Sequence, residues 1–208
     1  MSSHHIIRDE QEPALIIHKV NPLQWPIVLE LLGWSPTVIV SEEAVDMLLD
    51  HGHKIDMVFC STTRVTEFEQ KLESQAPIKI QGCKSDDFLE LAMTYLEDGN
   101  HKAVHVITAY DELFPQLKYF VATRLEVVIF TDNQKHILYR SAIFKKWLPA
   151  FSQLALIPLD ESALVTTRGF DHDLDQESVM EGIELKKKLE GEISIHFTHQ
   201  PALITENL

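Results

Sequence analysis

Along the first two-thirds of the chain, apolar positions switch repeatedly between two periods. "ALIIHKV" (residues 14–20), "TVIV" (37–40), "DMVF" (56–59), "PIKIQG" (77–82), "AVHVIT" (103–108) and "EVVIFT" (126–131) are short, β-branched or continuously apolar runs. That is the pattern of strands buried on both faces. Helical patterns separate them. "PLQWPIVLELLG" has Pro near its start and Gly after its end. "SEEAVDMLLDHGH" offers Ser41 as an N-cap, acids in the first turn and Gly52 as a stop. "VTEFEQKLESQ", "SDDFLELAMTYLEDG" (closed by Gly99) and "ELFPQLKYFVATRL" complete the set. Strand–helix alternation with short connections predicts an α/β unit, a three-layer, Rossmann-like parallel sheet covered on both faces.

After about Thr131-Asp132-Asn133 the helical rhythm fades. "HILYRSAIF", "SQLALIPL", "SALVTTRGF" and "GEISIHFT" read as strands spaced by short turns, so a second, all-β unit is expected, a small sandwich or half-barrel. The stretch "QESVMEGIELKKKLEG" fits either a helix or a bent strand, because Val179, Met180, Ile183 and Leu185 satisfy both spacings. The expected domains are 1–133 and 134–208.

Bulk properties narrow the function classes. With 208 residues, 45% hydrophobic and 24% charged, the chain is an ordinary globular one, long enough for two small cores. A formal charge of −14 argues against nucleic acid and anionic membrane as partners, since both need a basic field. No apolar run reaches the 18 or so residues of a membrane span, and "MSSHHIIRDEQEP" lacks the charged start and apolar middle of a signal peptide. A cytoplasmic protein is the expectation, with Cys60 and Cys83 as buried thiols.

Candidate chemistry gathers where the third strand ends, in "IDMVFCSTTRV" (55–65). In an open α/β sheet, ligands bind beyond the carboxyl ends of the strands. Here that position holds Cys60, Ser61, Thr62, Thr63 and Arg64: hydroxyls, a thiol and a guanidinium, but no carboxylate. One reading is an anion cradle, with Lys84 and Asp86-Asp87 lining the same crevice. The other is a strand-to-helix turn with Thr62 or Thr63 capping the next helix. Eleven histidines include the pairs His51/His53 and His196/His199 and the cluster Asp171-His172-Asp173, but none has structural-zinc spacing, which favours surface or capping roles. Lys186-Lys187-Lys188 reads as a solvated face, and Trp25, Trp34 and Trp147 as core or interface residues.

The order of these pieces resembles the thiamine pyrophosphokinases. The resemblance is carried by "ALII", "DMLLDHGHKIDMVF", "LAMTYLEDGNHKAVHVITA" and above all "LALIPLDESALVTTRGF", where the family reads S-L-I-P-L followed by V-T-T-x-G-L. It implies an α/β domain followed by a β domain that binds thiamine and dimerises. It also implies a homodimer, transfer of a diphosphoryl group from ATP to thiamine, and Mg²⁺ as cofactor. Residue by residue, the chain departs from the family. The acidic D-G-G-A-N turn is replaced by Glu42-Glu43-Ala44-Val45-Asp46. The Mg²⁺-holding G-D-x-D-S becomes Cys60–Arg64, with Ser61 and Thr63 in place of the two Asp. In the D-x-x-T-D motif only Asp86 and Asp87 are at hand, with Phe88 where the second acid belongs. The Gly-rich turn ending in R-x-D-H reads "TAYDELFPQL", and the thiamine-holding Ser-Asn falls near Glu184-Leu185. Mg²⁺ wants anionic oxygens, so the expectation is an impaired or inactive relative. If active, Glu42, Asp86 and Asp87 would hold the metal and Asp86 and Asp87 serve catalysis. Arg64, Lys84, Ser61 and Thr63 would then meet ATP, and Thr166 and Thr167 would border the thiamine pocket, unless they only form a hairpin edge. Otherwise the fold is a non-catalytic module for thiamine, another small molecule or assembly.

Overall fold

The computed structural model describes residues 12–34 and 36–208; residues 1–11, on which the signal-peptide reading falls, lie outside the described residues. The chain divides into two compact units, Met1–Asp132 and Asn133–Leu208.

In the first unit six strands, β1 (Ala14–Ile17), β2 (Val38–Ser41), β3 (Met57–Ser61), β4 (Lys79–Cys83), β5 (Ala103–Ile107) and β6 (Glu126–Phe130), run parallel in the order β6–β5–β1–β2–β3–β4. Helices α1 (Trp25–Leu32), α2 (Val45–Asp50), α3 (Val65–Lys71), α4 (Phe88–Asp98) and α5 (Tyr110–Ala122) connect them. Because successive strand residues face opposite sides, Leu15, Ile17, Val38, Val40 and Val58 pack with Val28, Leu31, Val45, Leu48, Phe68 and Leu72 of α1–α3 and the turn after α3. On the other face Phe59 meets Phe88 of α4 edge-on at 5.7 Å. Each such buried side chain contributes about 1.5–3 kcal/mol. The sheet runs outward from β1 through β4, then restarts at β5 on β1's other side. In open α/β sheets, ligands bind beyond the carboxyl ends of the strands near such a reversal.

Two local expectations fail here. Ser41 does not cap α2: it is the last residue of β2, paired with Phe59, and its hydroxyl donates to the His18 carbonyl. The helix starts only at Val45, without a side-chain cap. Thr62 and Thr63 cap nothing either; Thr62–Arg64 form a 3₁₀ turn and α3 follows without a side-chain cap. Gly52, by contrast, ends α2 as expected, with φ +72°.

The second unit contains β7 (Gln134–Tyr139), β8 (Ile143–Leu148), β9 (Ser152–Pro158), β10 (Leu164–Arg168), β11 (Glu177–Ser178), β12 (Ile183–Lys187), β13 (Gly191–Phe197) and β14 (Ala202–Asn207). The antiparallel orders are β12–β9–β14–β7 and β11–β10–β13–β8. Leu154, Leu156, Leu185 and Ile204 of the first set share a core with Phe144, Val165, Ile193 and Ile195 of the second. "HILYRSAIF" breaks into β7 and β8 around residues 140–142. The ambiguous 176–190 stretch is strand: Leu185 pairs with Leu154 and Ile183 with Leu156, a period-2 register that a helix could not make. Lys187 is not solvated, as expected of the Lys186–Lys188 run, but buried, donating to the Gly169 carbonyl at 2.6 Å. Trp34 and Trp147 are exposed, whereas Trp25 packs against the core. No helix among the described residues is long and apolar enough to cross a membrane.

Candidate functional site

A cavity of about 310 Å³ opens at the carboxyl ends of β1–β4. Each strand contributes the residues at or just past its end: His18 after β1, Ser41 to Glu43 at β2, Cys60 to Thr62 at β3, Cys83 and Lys84 at β4; Phe59 and Phe88 add apolar surface. Gly82 lets β4 approach this turn closely, since a Cβ there would stand 2.9 Å from the Thr62 Cα.

Of the residues singled out in the sequence, Glu42, Ser61 and Lys84 line the cavity, with Thr62 beside them. Thr63 lies just behind, its hydroxyl 3.0 Å from that of Ser61. Glu42 is already engaged: the Ser61 N–H donates to its Oε2 at 3.0 Å and Arg64 Nη1 lies 3.3 Å from the same oxygen. Arg64 is engaged further, donating twice to Glu67 at 2.8 and 2.6 Å and lying 4.8 Å over the Phe68 ring. Asp86 is exposed and Asp87 half-buried, on a turn between Lys84 and Phe88, and neither lines the cavity. The Asp86 carbonyl accepts from the Tyr119 hydroxyl.

Thr166 and Thr167 belong to the second unit, where their hydroxyls serve the backbone. Thr166 Oγ1 accepts from Gln176 N–H at 3.1 Å, and the fully buried Thr167 Oγ1 accepts from Leu174 N–H at 2.8 Å. Thr167 therefore shows no exposed side-chain surface, the arrangement of the strand-edge alternative. His51 hydrogen-bonds the Met47 carbonyl at 2.7 Å and stacks on Trp25, the capping role expected of it.

Sequence reasoning missed His18, Glu43, Phe59 and Phe88 as cavity residues, although His18 directly follows the apolar run "ALII", a readable position. His18 is buried, hydrogen-bonded to the Thr108 hydroxyl at 3.2 Å and stacked on Phe88 at 5.2 Å. Burial pushes its pKa below the ordinary imidazole value, against the pull of Glu112. Burial raises both thiol pKa values, with Glu42 pushing Cys60 and Asp87 pushing Cys83 the same way. Neither is thus a ready thiolate nucleophile.

Donor chemistry offers Mg²⁺ no ready-made set of protein ligands among the described residues. Among the described residues no three His, Cys, Asp or Glu side chains come together as a metal-holding group. Glu42, Asp86 and Asp87 are therefore not assembled into one, and Ser61 and Thr63 add only neutral hydroxyls.

Fold and crevice place the chain among α/β proteins with an added antiparallel β unit. The solved structures it resembles include thiamine pyrophosphokinases. That of Bacillus subtilis superposes with a TM-score of 0.73 at 13% identity, over 93% of this chain and 98% of that one. The Geobacillus thermodenitrificans protein gives 0.72 at 14%, over 94% and 97%. The Candida albicans protein gives 0.66 at 11%, over 96% and 90%. No protein-family model and no curated protein sequence matches the chain. The thiamine pyrophosphokinase fold is shared; at this identity the likeness extends to the fold alone.

Proposed function

We propose that the chain is a thiamine pyrophosphokinase-like protein in which diphosphoryl transfer from ATP to thiamine is lost or strongly impaired, while the crevice persists as a small-molecule site. The observation that carries this is the state of Glu42. Phosphoryl transfer consists mostly of positioning and of neutralising charge around Mg²⁺ and the phosphate oxygens. Glu42, the carboxylate bonded to the β3 turn, spends its charge on Ser61 N–H and Arg64 instead. Arg64, the expected phosphate partner, is held by Glu67 as well. A homodimer made through the second unit and a cytoplasmic location belong to the same reading, on the strength of the shared fold.

The test is AMP release from Mg-ATP and thiamine by the purified protein. The expected result is no release above a protein-free control. The competing reading is a working enzyme that uses Asp86 and Asp87. Robust magnesium-dependent thiamine diphosphate formation, abolished by Asp86→Ala with Asp87→Ala, would establish that reading and end this one.

A further inference from the structure

We propose that the crevice binds a small zwitterion without a metal ion, its cationic group against Glu43 and its anionic group against Lys84 and the Ser61 and Thr62 hydroxyls. The inference rests on the reading above, that the crevice is kept as a binding site, and names the class of ligand it takes.

The argument is an account of which charges are already spent. Glu42 is held by Ser61 N–H and Arg64, and Arg64 by Glu67, so the guanidinium supplies the positive charge that a metal would bring. Lys19, just beyond β1, is paired with Glu112 and feels Glu43 only more weakly, without an ion pair. His18 is buried and bonded to Thr108, and burial disfavours its charged form, against the pull of Glu112. What is left on the cavity wall is Glu43 and Lys84, one of each sign, both exposed and neither ion-paired among the described residues. They follow β2 and β4, with β3 between them. Neighbouring strands are about 4.8 Å apart, so the two strand ends stand roughly 10 Å apart. The floor between is apolar and aromatic: Phe59, Phe88 and the His18 ring stacked on it. A compact ring bearing an amine at one end and a phosphate at the other matches that order of groups. At about 310 Å³ the cavity is at the small end of ligand pockets, a size that suits a compact ligand.

Calorimetric titration in EDTA, with three probes, tests this. O-Phosphotyramine carries both charges on one ring, phenyl phosphate only the anion, and tyramine only the cation. Phosphotyramine should bind about ten- to a hundredfold more tightly than either, the value of one charge-assisted contact. Glu43→Gln should reduce phosphotyramine to the level of phenyl phosphate, and Lys84→Met to that of tyramine. Both residues are exposed, so both variants should melt as the parent does. Because the readout is a ratio between probes, a partly unfolded sample does not imitate it. Equal binding of phosphotyramine and phenyl phosphate, binding that appears only when Mg²⁺ replaces EDTA, or no binding of any probe would each overturn the proposal. None of these outcomes bears on AMP release, so the two readings fail separately.

Discussion

The tripeptide Thr-Thr-Arg occurs twice, at 62–64 and at 166–168, and the two places use it in opposite ways. At the end of β3 it forms a 3₁₀ turn on the lip of a cavity, with Thr62 on the wall and Arg64 in water between two carboxylates. In β10 it is strand, and the loop beyond it consumes the polar groups. Asp173 accepts from Gly169 N–H and Phe170 N–H, and from the Thr167 hydroxyl. Arg168 Nη1 donates to the carbonyls of Thr167 and Leu174, and Lys187 to that of Gly169. What separates the two is the residue that follows. Val65 continues into a helix, whereas Gly169 turns the chain at φ +93° and brings Asp173 back onto the strand end. Both arginines are paired, but the first pairs with carboxylates in water at a cavity's edge, whereas the second ties the backbone of a loop to its strand end.

Gly169→Ala would break that contrast most forcibly. A left-handed φ costs a non-glycine residue about 1–3 kcal/mol. The new Cβ would also stand 2.5 Å from the Glu192 carbonyl oxygen, a backbone atom that cannot swing away. Together these should cost about 4 kcal/mol, lowering Tm by about 10 °C. The closest counterpart at the crevice is Gly82→Ala, whose obstacle is the Thr62 Cα at 2.9 Å. It should melt higher than Gly169→Ala, because Gly82 has no left-handed φ to lose.

Acid separates the two units next. His136 on β7 is buried, bonded to the Thr205 hydroxyl at 2.8 Å, and burial pulls its pKa down to about 4. Between pH 6.5 and 4 the unfolded chain therefore binds the proton that the folded chain refuses. The contribution is intact above pH 6.5 and is lost as pH falls toward 4, about 3 kcal/mol in all. In His136→Gln that part of the acid limb of a urea-denaturation series should disappear. An unchanged limb would move the acid sensitivity elsewhere, for instance to His18, also buried and held low.

These contrasts also mark how far the amino-acid order could be read. Runs such as "DMVF" and "AVHVIT" announce strands because residues buried on both faces have little choice but to be apolar, and Gly52 announces a stop because few residues accept its φ. Ser41 misleads: S-E-E before an apolar run has the composition of a helix start, but the hydroxyl finds the His18 carbonyl across the sheet, a partner 23 positions away. Lys187 misleads for the same reason, since it is a polar residue buried by a partner that only the fold supplies. The crevice was half legible. Strand ends identify Ser61 and Lys84, but only coordinates show that Glu42 is already held by Arg64 and that Asp86 and Asp87 stand outside the cavity.

The smallest expected effect is also the sharpest comparison, because it makes the same substitution in both tripeptides. Methionine keeps the apolar stem of arginine and removes the guanidinium. Arg168→Met deletes donors at 2.7 and 3.2 Å to two backbone carbonyls, Thr167 of the strand and Leu174 of the loop. At a half-exposed side chain this should cost about 1 kcal/mol, or a Tm drop of about 3 °C. Arg64→Met deletes only pairings with carboxylates in water, and the new side chain can still lie on Phe68, so its Tm should barely move. The consequence should instead be electrostatic. With the guanidinium gone, Glu42 faces the cavity uncompensated, and Mn²⁺, followed by its effect on water-proton relaxation, should bind more tightly to this variant than to the parent protein. If Arg64→Met proved the more destabilising of the two, the crevice turn would be a self-contained structure like the β10 loop, and the contrast between the two tripeptides would fail.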